Sequence, residues 1–151
     1  MEREVGIVVA QNPLRYRALP VSVVKQFTFD AAHRLEAYEG KCAQLHGHTY
    51  RLEVEIKGHP DPRGLVIDFN EIKALVERVV LERFDHRYLN DEVPFNTTAE
   101  NLVVFLYEEL AKALRQTPRA TDVNLERVRL WETPTSYAEV QREDIIRRET
   151  E

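Results

Sequence analysis

His46 and His48 stand two residues apart in HGHTYRLEVEIK, a run in which apolar and polar side chains alternate. If this run is extended, both imidazoles project to one side and can reach one ion. His33 ends a second run, VSVVKQFTFDAAH, in which an extended backbone puts Phe27, Phe29, Ala31 and His33 on one face. Pairing of the two runs would bring in a third ring. Three neutral imidazoles suit Zn²⁺, and three protein ligands leave a fourth position for water or substrate, the arrangement of catalytic rather than structural zinc. An isolated His-x-His is more often a pair of hydrogen-bonded histidines, so the reading needs support from elsewhere in the chain. Cys42, four residues before His46, has three readings on spacing alone. It could close a Cys-His₃ structural site, stand beside the metal as a thiolate, or be an inert buried thiol. Asp85-His86 and Glu132 are each compatible with a solvated turn and a strand-end charge.

The elements that would position these residues follow from periodicity. Residues 21–33 and 46–57 read as strands, and the Gly- and Pro-rich GHPDPRG as a turn leading to a third strand at Leu65-Val66-Ile67. Asp68 or Asn70 caps a helix over about 70–83, in which Ile72, Leu75, Val76 and Val79 recur at helical spacing. A second helix opens at NTTAEN, where Thr97 and Glu100 have capping-box spacing, and ends near Gln116. Its apolar stripe is Leu102, Phe105, Leu106 and Leu110. Residues 123–133 alternate again and put Val128, Leu130 and Glu132 on one face. The order β-β-β-α-α-β predicts an α+β fold, a small antiparallel sheet with two helices packed on one face. We expect one domain over residues 1–151, with its core at about 21–140, an irregular extension at 1–19 and a charged tail from about Gln141.

Composition narrows the function. The chain has 21 Lys plus Arg against 26 Asp plus Glu, a net charge of −5, which argues against gripping a nucleic-acid backbone. No stretch approaches the roughly 18 apolar residues of a membrane span, and Met1-Glu2-Arg3-Glu4 lacks the basic start of a secretory signal. One cysteine cannot form an intrachain disulfide. A cytoplasmic protein with no nucleic-acid or membrane partner is expected.

FDAAHRL, KCAQLHGHTYRLEVEIKG, GLVIDF, FDHRYLN, TAENL and WET, in this order over roughly residues 25 to 137, resemble the 6-pyruvoyltetrahydropterin synthase family. The short spacing Cys42-x-x-x-His46-x-His48 is similar to that of the bacterial 6-carboxytetrahydropterin synthases. The resemblance implies the tunnelling fold, trimers paired into homohexamers, and sites between subunits. It implies Zn²⁺ on His33, His46 and His48, Cys42 as general base, Asp85-His86 as a proton relay, and Glu132 as pterin anchor and possible relay member. Thr98 and Glu100 match positions near the pterin pocket, although capping accounts for Thr97 and Glu100 equally well. Thr97 stands where relatives often carry proline. The implied reaction is that of a lyase, converting 7,8-dihydroneopterin triphosphate to 6-carboxytetrahydropterin, acetaldehyde and triphosphate for queuosine and related 7-deazaguanines. The alternatives are pyruvoyltetrahydropterin formation or sepiapterin side-chain cleavage on the same scaffold, and a non-catalytic protein in which zinc staples a sheet.

Overall fold

Two long alternating runs pair along their whole length. The computed structural model describes residues 16–17 and 19–151, so most of the extension expected at 1–19 lies outside the described residues. β1 (Val21–His33) and β2 (His46–Gly58) are antiparallel, with Phe29 opposite Tyr50, Ala31 opposite His48 and His33 opposite His46. The register places all three histidines at one end of a hairpin. With β3 (Arg87–Tyr88), β4 (Val123–Thr133) and β5 (Ser136–Gln141), they form a five-stranded sheet in the order β3-β1-β2-β4-β5. Its inward face carries Phe29, Tyr50, Leu52, Val54, Ile56, Val128 and Leu130, all buried.

Two long helical segments cover that face. α1 (Phe69–Val76) starts at Asp68, whose carboxylate accepts the Asn70 N–H at 2.8 Å. It runs on through a π-helical turn (Glu77–Leu81) to Glu82–Phe84, burying Ile72, Leu75, Val76, Val80 and Phe84. α2 (Ala99–Arg115) buries Leu102, Leu106 and Leu110. Among the described residues no helix is long and apolar enough to cross a membrane.

The fold is α+β as expected, but four details differ. The sheet is mixed: β3 pairs with β1 in parallel, because the chain reaches this edge only after crossing over from β2 through α1. Leu65-Val66-Ile67 is not a strand. Its backbone is satisfied locally, since Asp61 N–H donates to Leu65 O at 2.8 Å, the Asp61 carboxylate accepts the Leu65 N–H at 3.1 Å, and Arg119 donates to Val66 O. The cap of α2 is Thr98, which accepts the Asn101 N–H at 3.1 Å, rather than Thr97, which turns inward. The tail is ordered: β5 leads directly into α3 (Arg142–Thr150), opened by a capping box between Gln141 and Asp144.

Candidate metal centre and active site

At the end of the hairpin the rings of His33, His46 and His48 lie 4.7–5.1 Å apart, centroid to centroid. Their ligating atoms all fall within 4.8 Å of one another. The Nε2 atoms of all three are buried and have no hydrogen-bond partner. In two of the rings the opposite nitrogen is held: His33 Nδ1 lies 2.9 Å from Thr97 O, and His46 Nδ1 lies 2.7 Å from Gln44 O. A ring donating through Nδ1 to a carbonyl keeps its Nε2 lone pair free, which is the usual outer support of a metal-binding histidine. Burial depresses the His33 pKa to about 4, with His46 and His48 adding to the effect and the Thr97 bond opposing it. Burial also lowers that of His48, against the pull of Glu132. Both rings are therefore neutral at neutral pH, the form that binds metal. Buried, unpartnered nitrogens are costly, and a divalent cation would satisfy three at once.

The other candidates fall into two groups. Glu132, near the end of β4, reaches 3.9 Å from His33 Nε2. It lines a cleft shared with Glu100, at the start of α2, and with Tyr137 of β5. Thr98 is accounted for as the helix cap. Cys42 sits half-buried on a short 3₁₀ turn (Lys41–Ala43) between β1 and β2, and the three-ring cluster does not include it among the described residues. Asp85 and His86 also lie outside that cluster. They dock on the outer edge of β1 beside Asp30, whose side chain points away from the imidazoles. His86 Nδ1 is 3.0 Å from Asp85 Oδ1. The Asp30 N–H, more than any other group, holds the Asp85 carboxyl below the usual aspartate range.

The sequence matches the family model described as 6-pyruvoyl tetrahydropterin synthase over residues 22–143. The chain belongs to the 6-pyruvoyl tetrahydropterin synthase family. It is 36% identical over 144 residues to the 6-carboxy-5,6,7,8-tetrahydropterin synthase of Haemophilus influenzae, covering 79% of this chain and 97% of that protein. It is 39% identical over 110 residues to the dihydroneopterin monophosphate aldolase of Pyrococcus furiosus, covering 73% and 88%. Its fold superposes on the 6-pyruvoyl tetrahydropterin synthase of Caenorhabditis elegans with a TM-score of 0.71 at 30% identity, covering 83% and 97% of the two chains. Proteins similar to this chain thus carry the names of different reactions.

Sequence reasoning read Thr97 only as a cap or a replaced proline, and passed over two asparagines that support the candidate site. Thr97 is fully buried: both its carbonyl and its hydroxyl, at 3.1 Å, face His33 Nδ1, and the hydroxyl also donates to Arg34 O. Asn90 and Asn96 act as backbone mimics. The Asn90 side chain accepts the Arg34 N–H and donates to Arg34 O, at 3.0 and 2.9 Å, and Asn96 does the same for Glu36 at 2.9 and 3.0 Å. Leu35 N–H then donates to Cys42 O at 2.8 Å, so these two amides fix the loop that carries the thiol. Asn90 follows Leu89 in FDHRYLN and Asn96 opens NTTAEN, yet an asparagine beside a turn reads simply as a turn residue.

Proposed function

We propose that this chain is a zinc-dependent 6-carboxy-5,6,7,8-tetrahydropterin synthase, a cytoplasmic homohexamer that converts 7,8-dihydroneopterin triphosphate to 6-carboxytetrahydropterin, acetaldehyde and triphosphate in queuosine and related 7-deazaguanine biosynthesis. One observation carries it: three buried, unpartnered Nε2 atoms converge at the end of a hairpin in a chain similar over most of its length to proteins of that name. His33, His46 and His48 would hold the ion. Bound zinc supplies a Lewis acid that polarises the side-chain hydroxyls of the substrate and acidifies the neighbouring positions.

The remaining roles belong to the chain itself. Glu132 accepts hydrogen bonds from the amino and N–H edge of the pterin and so holds the side chain beside the imidazoles, with Glu100 on the same cleft and Thr98 capping the helix that carries Glu100. Cys42 takes a proton from the substrate side chain. His86, oriented by Asp85, passes protons to and from the reacting carbons. Because Asp85 and His86 flank a different part of β1 from the three imidazoles, a complete site draws them from a neighbouring subunit.

Incubation of the zinc-loaded protein with 7,8-dihydroneopterin triphosphate tests the reading. Acetaldehyde and a carboxypterin are expected; a pyruvoyl product, or aldol cleavage without triphosphate release, would assign another reaction of the same scaffold. In Cys42→Ala, zinc and fold should persist while turnover falls at least about a hundredfold. Loss of zinc in that variant would make Cys42 a ligand instead of a base.

A further inference from the structure

Asp30 grips the Asp85-His86 pair at two points and is itself held at a third by Thr49. Its N–H donates to Asp85 Oδ1 at 2.9 Å, its carbonyl accepts the His86 N–H at 2.6 Å, and its carboxylate accepts the Thr49 hydroxyl from the adjacent position on β2. His86 has a left-handed backbone, φ 61°, which is strained for a non-glycine residue and persists only where its surroundings impose it. In that conformation the His86 N–H is held by the Asp30 carbonyl. The imidazole is 78% exposed, with Nδ1 turned back onto Asp85. Its other nitrogen is thus left to meet a reactant. One oxygen of Asp30, one of Asp85 and one ring nitrogen of His86 all lie within 4.8 Å of one another.

We propose that Asp30 is a positioning residue for the His86 proton relay, its carboxylate forming with Asp85 a two-sided acidic cradle that orients the imidazole and stabilises the positive charge it gains on accepting a proton. The inference rests on the relay role given to His86 above and adds a residue to it. Two carboxylates are used because they do different work. Asp85 bonds Nδ1 directly and sets the tautomer, whereas Asp30 is tied down by Thr49 and acts across a short gap, where a fixed charge is strongest against a newly formed one. Thr49 is the anchor: its hydroxyl stops the Asp30 carboxylate from swinging into solvent. The outward position of Asp30, between the buried Phe29 and Ala31, is what makes this possible.

The test uses the full zinc-loaded chain. Asp30→Asn should lower kcat roughly tenfold or more with KM within about twofold, and leave zinc content and melting temperature in place. Thr49→Val should lower kcat in the same direction, and Thr49→Ser, which keeps the hydroxyl, should restore it. In a His86→Ala background, Asp30→Asn should cause no further loss, since Asp30 acts through His86. Equal losses in both backgrounds, or a loss that tracks the melting temperature, would overturn the proposal. A readout independent of turnover is the His86 ring Nδ1–H resonance in water, expected to be protected in the parent and in Thr49→Ser and broadened by exchange in Asp30→Asn. An unchanged resonance in Asp30→Asn would also overturn it. Absence of turnover in the parent protein with a normal response of this resonance would count against the enzymatic reading alone.

Discussion

At the scale of single residues, the candidate metal centre depends on which ring nitrogens are held, Nδ1 in both His33 and His46. The spacing His46-x-His48 and the alternation leading to His33 were enough to put three rings on one side, because a strand allows no other arrangement of side chains two apart. What alternation cannot reveal is the support behind the rings. Thr97 reads as a helix cap because a hydroxyl just before a helix usually is one, yet its neighbour Thr98 caps and Thr97 is pulled inward by His33 and Arg34. Two substitutions separate these functions. Thr97→Val should keep metal, because the carbonyl that holds His33 is main chain, while losing about 1 to 2 kcal/mol of stability through the orphaned Arg34 and Asn90 partners. Urea unfolding together with metal analysis checks it. His48→Ala should lose the ion on dialysis against a weak chelator and retain the fold; full metal retention would take His48 out of the ligand set.

At the scale of elements, strands that alternate over 11 to 13 residues were legible, and shorter ones were not. β3 has two residues and exists only because the edge of β1 is there to pair with, and α3 has only Ile145 and Ile146 as apolar residues in a charged run. The expected strand at 65–67 failed for the opposite reason: Asp61 offers its backbone a local alternative that no hydropathy pattern reports. The long strands also carry the polar ladder on the outer sheet face, where Arg127 bonds Glu53 and Glu55, and Arg129 bonds Glu139. Burial pushes the Glu53 carboxyl up, but hydrogen bonds from Arg127 and Gln26, with the charges of Arg127 and Arg129, outweigh it and hold it below its ordinary 4.5. A depressed folded-state pKa means stability that is present above about pH 4.5 and lost as acid protonates the carboxylate. Glu53→Gln should therefore be about 2 kcal/mol less stable than the parent at pH 7, with the gap closing as the pH falls below that point, as read from urea midpoints. On the loop side, Asn96→Ala should free Glu36 and with it the thiol loop, lowering turnover while zinc stays bound.

At the scale of the whole molecule, the described residues hold two separate histidine-containing clusters, the three imidazoles inside and Asp30-Asp85-His86 at the edge of β1. The sequence motifs imply one active site, and the fold divides their residues between two places, which a linear reading cannot anticipate because it has no register between FDAAH and FDHRYLN. If neighbouring subunits complete each site, inactive His48→Ala and inactive His86→Ala proteins mixed and reassembled should regain up to about a quarter of parental activity, the fraction of sites drawing both intact parts. No recovery would confine each site to one subunit. The central claim, an ion on three imidazoles with a position left for the substrate and the thiol outside the shell, is tested most directly by zinc X-ray absorption on the loaded protein. The account predicts a first shell of light atoms only, three of them imidazole nitrogens at about 2.0 Å, and a zinc–sulfur distance near 2.3 Å would contradict it.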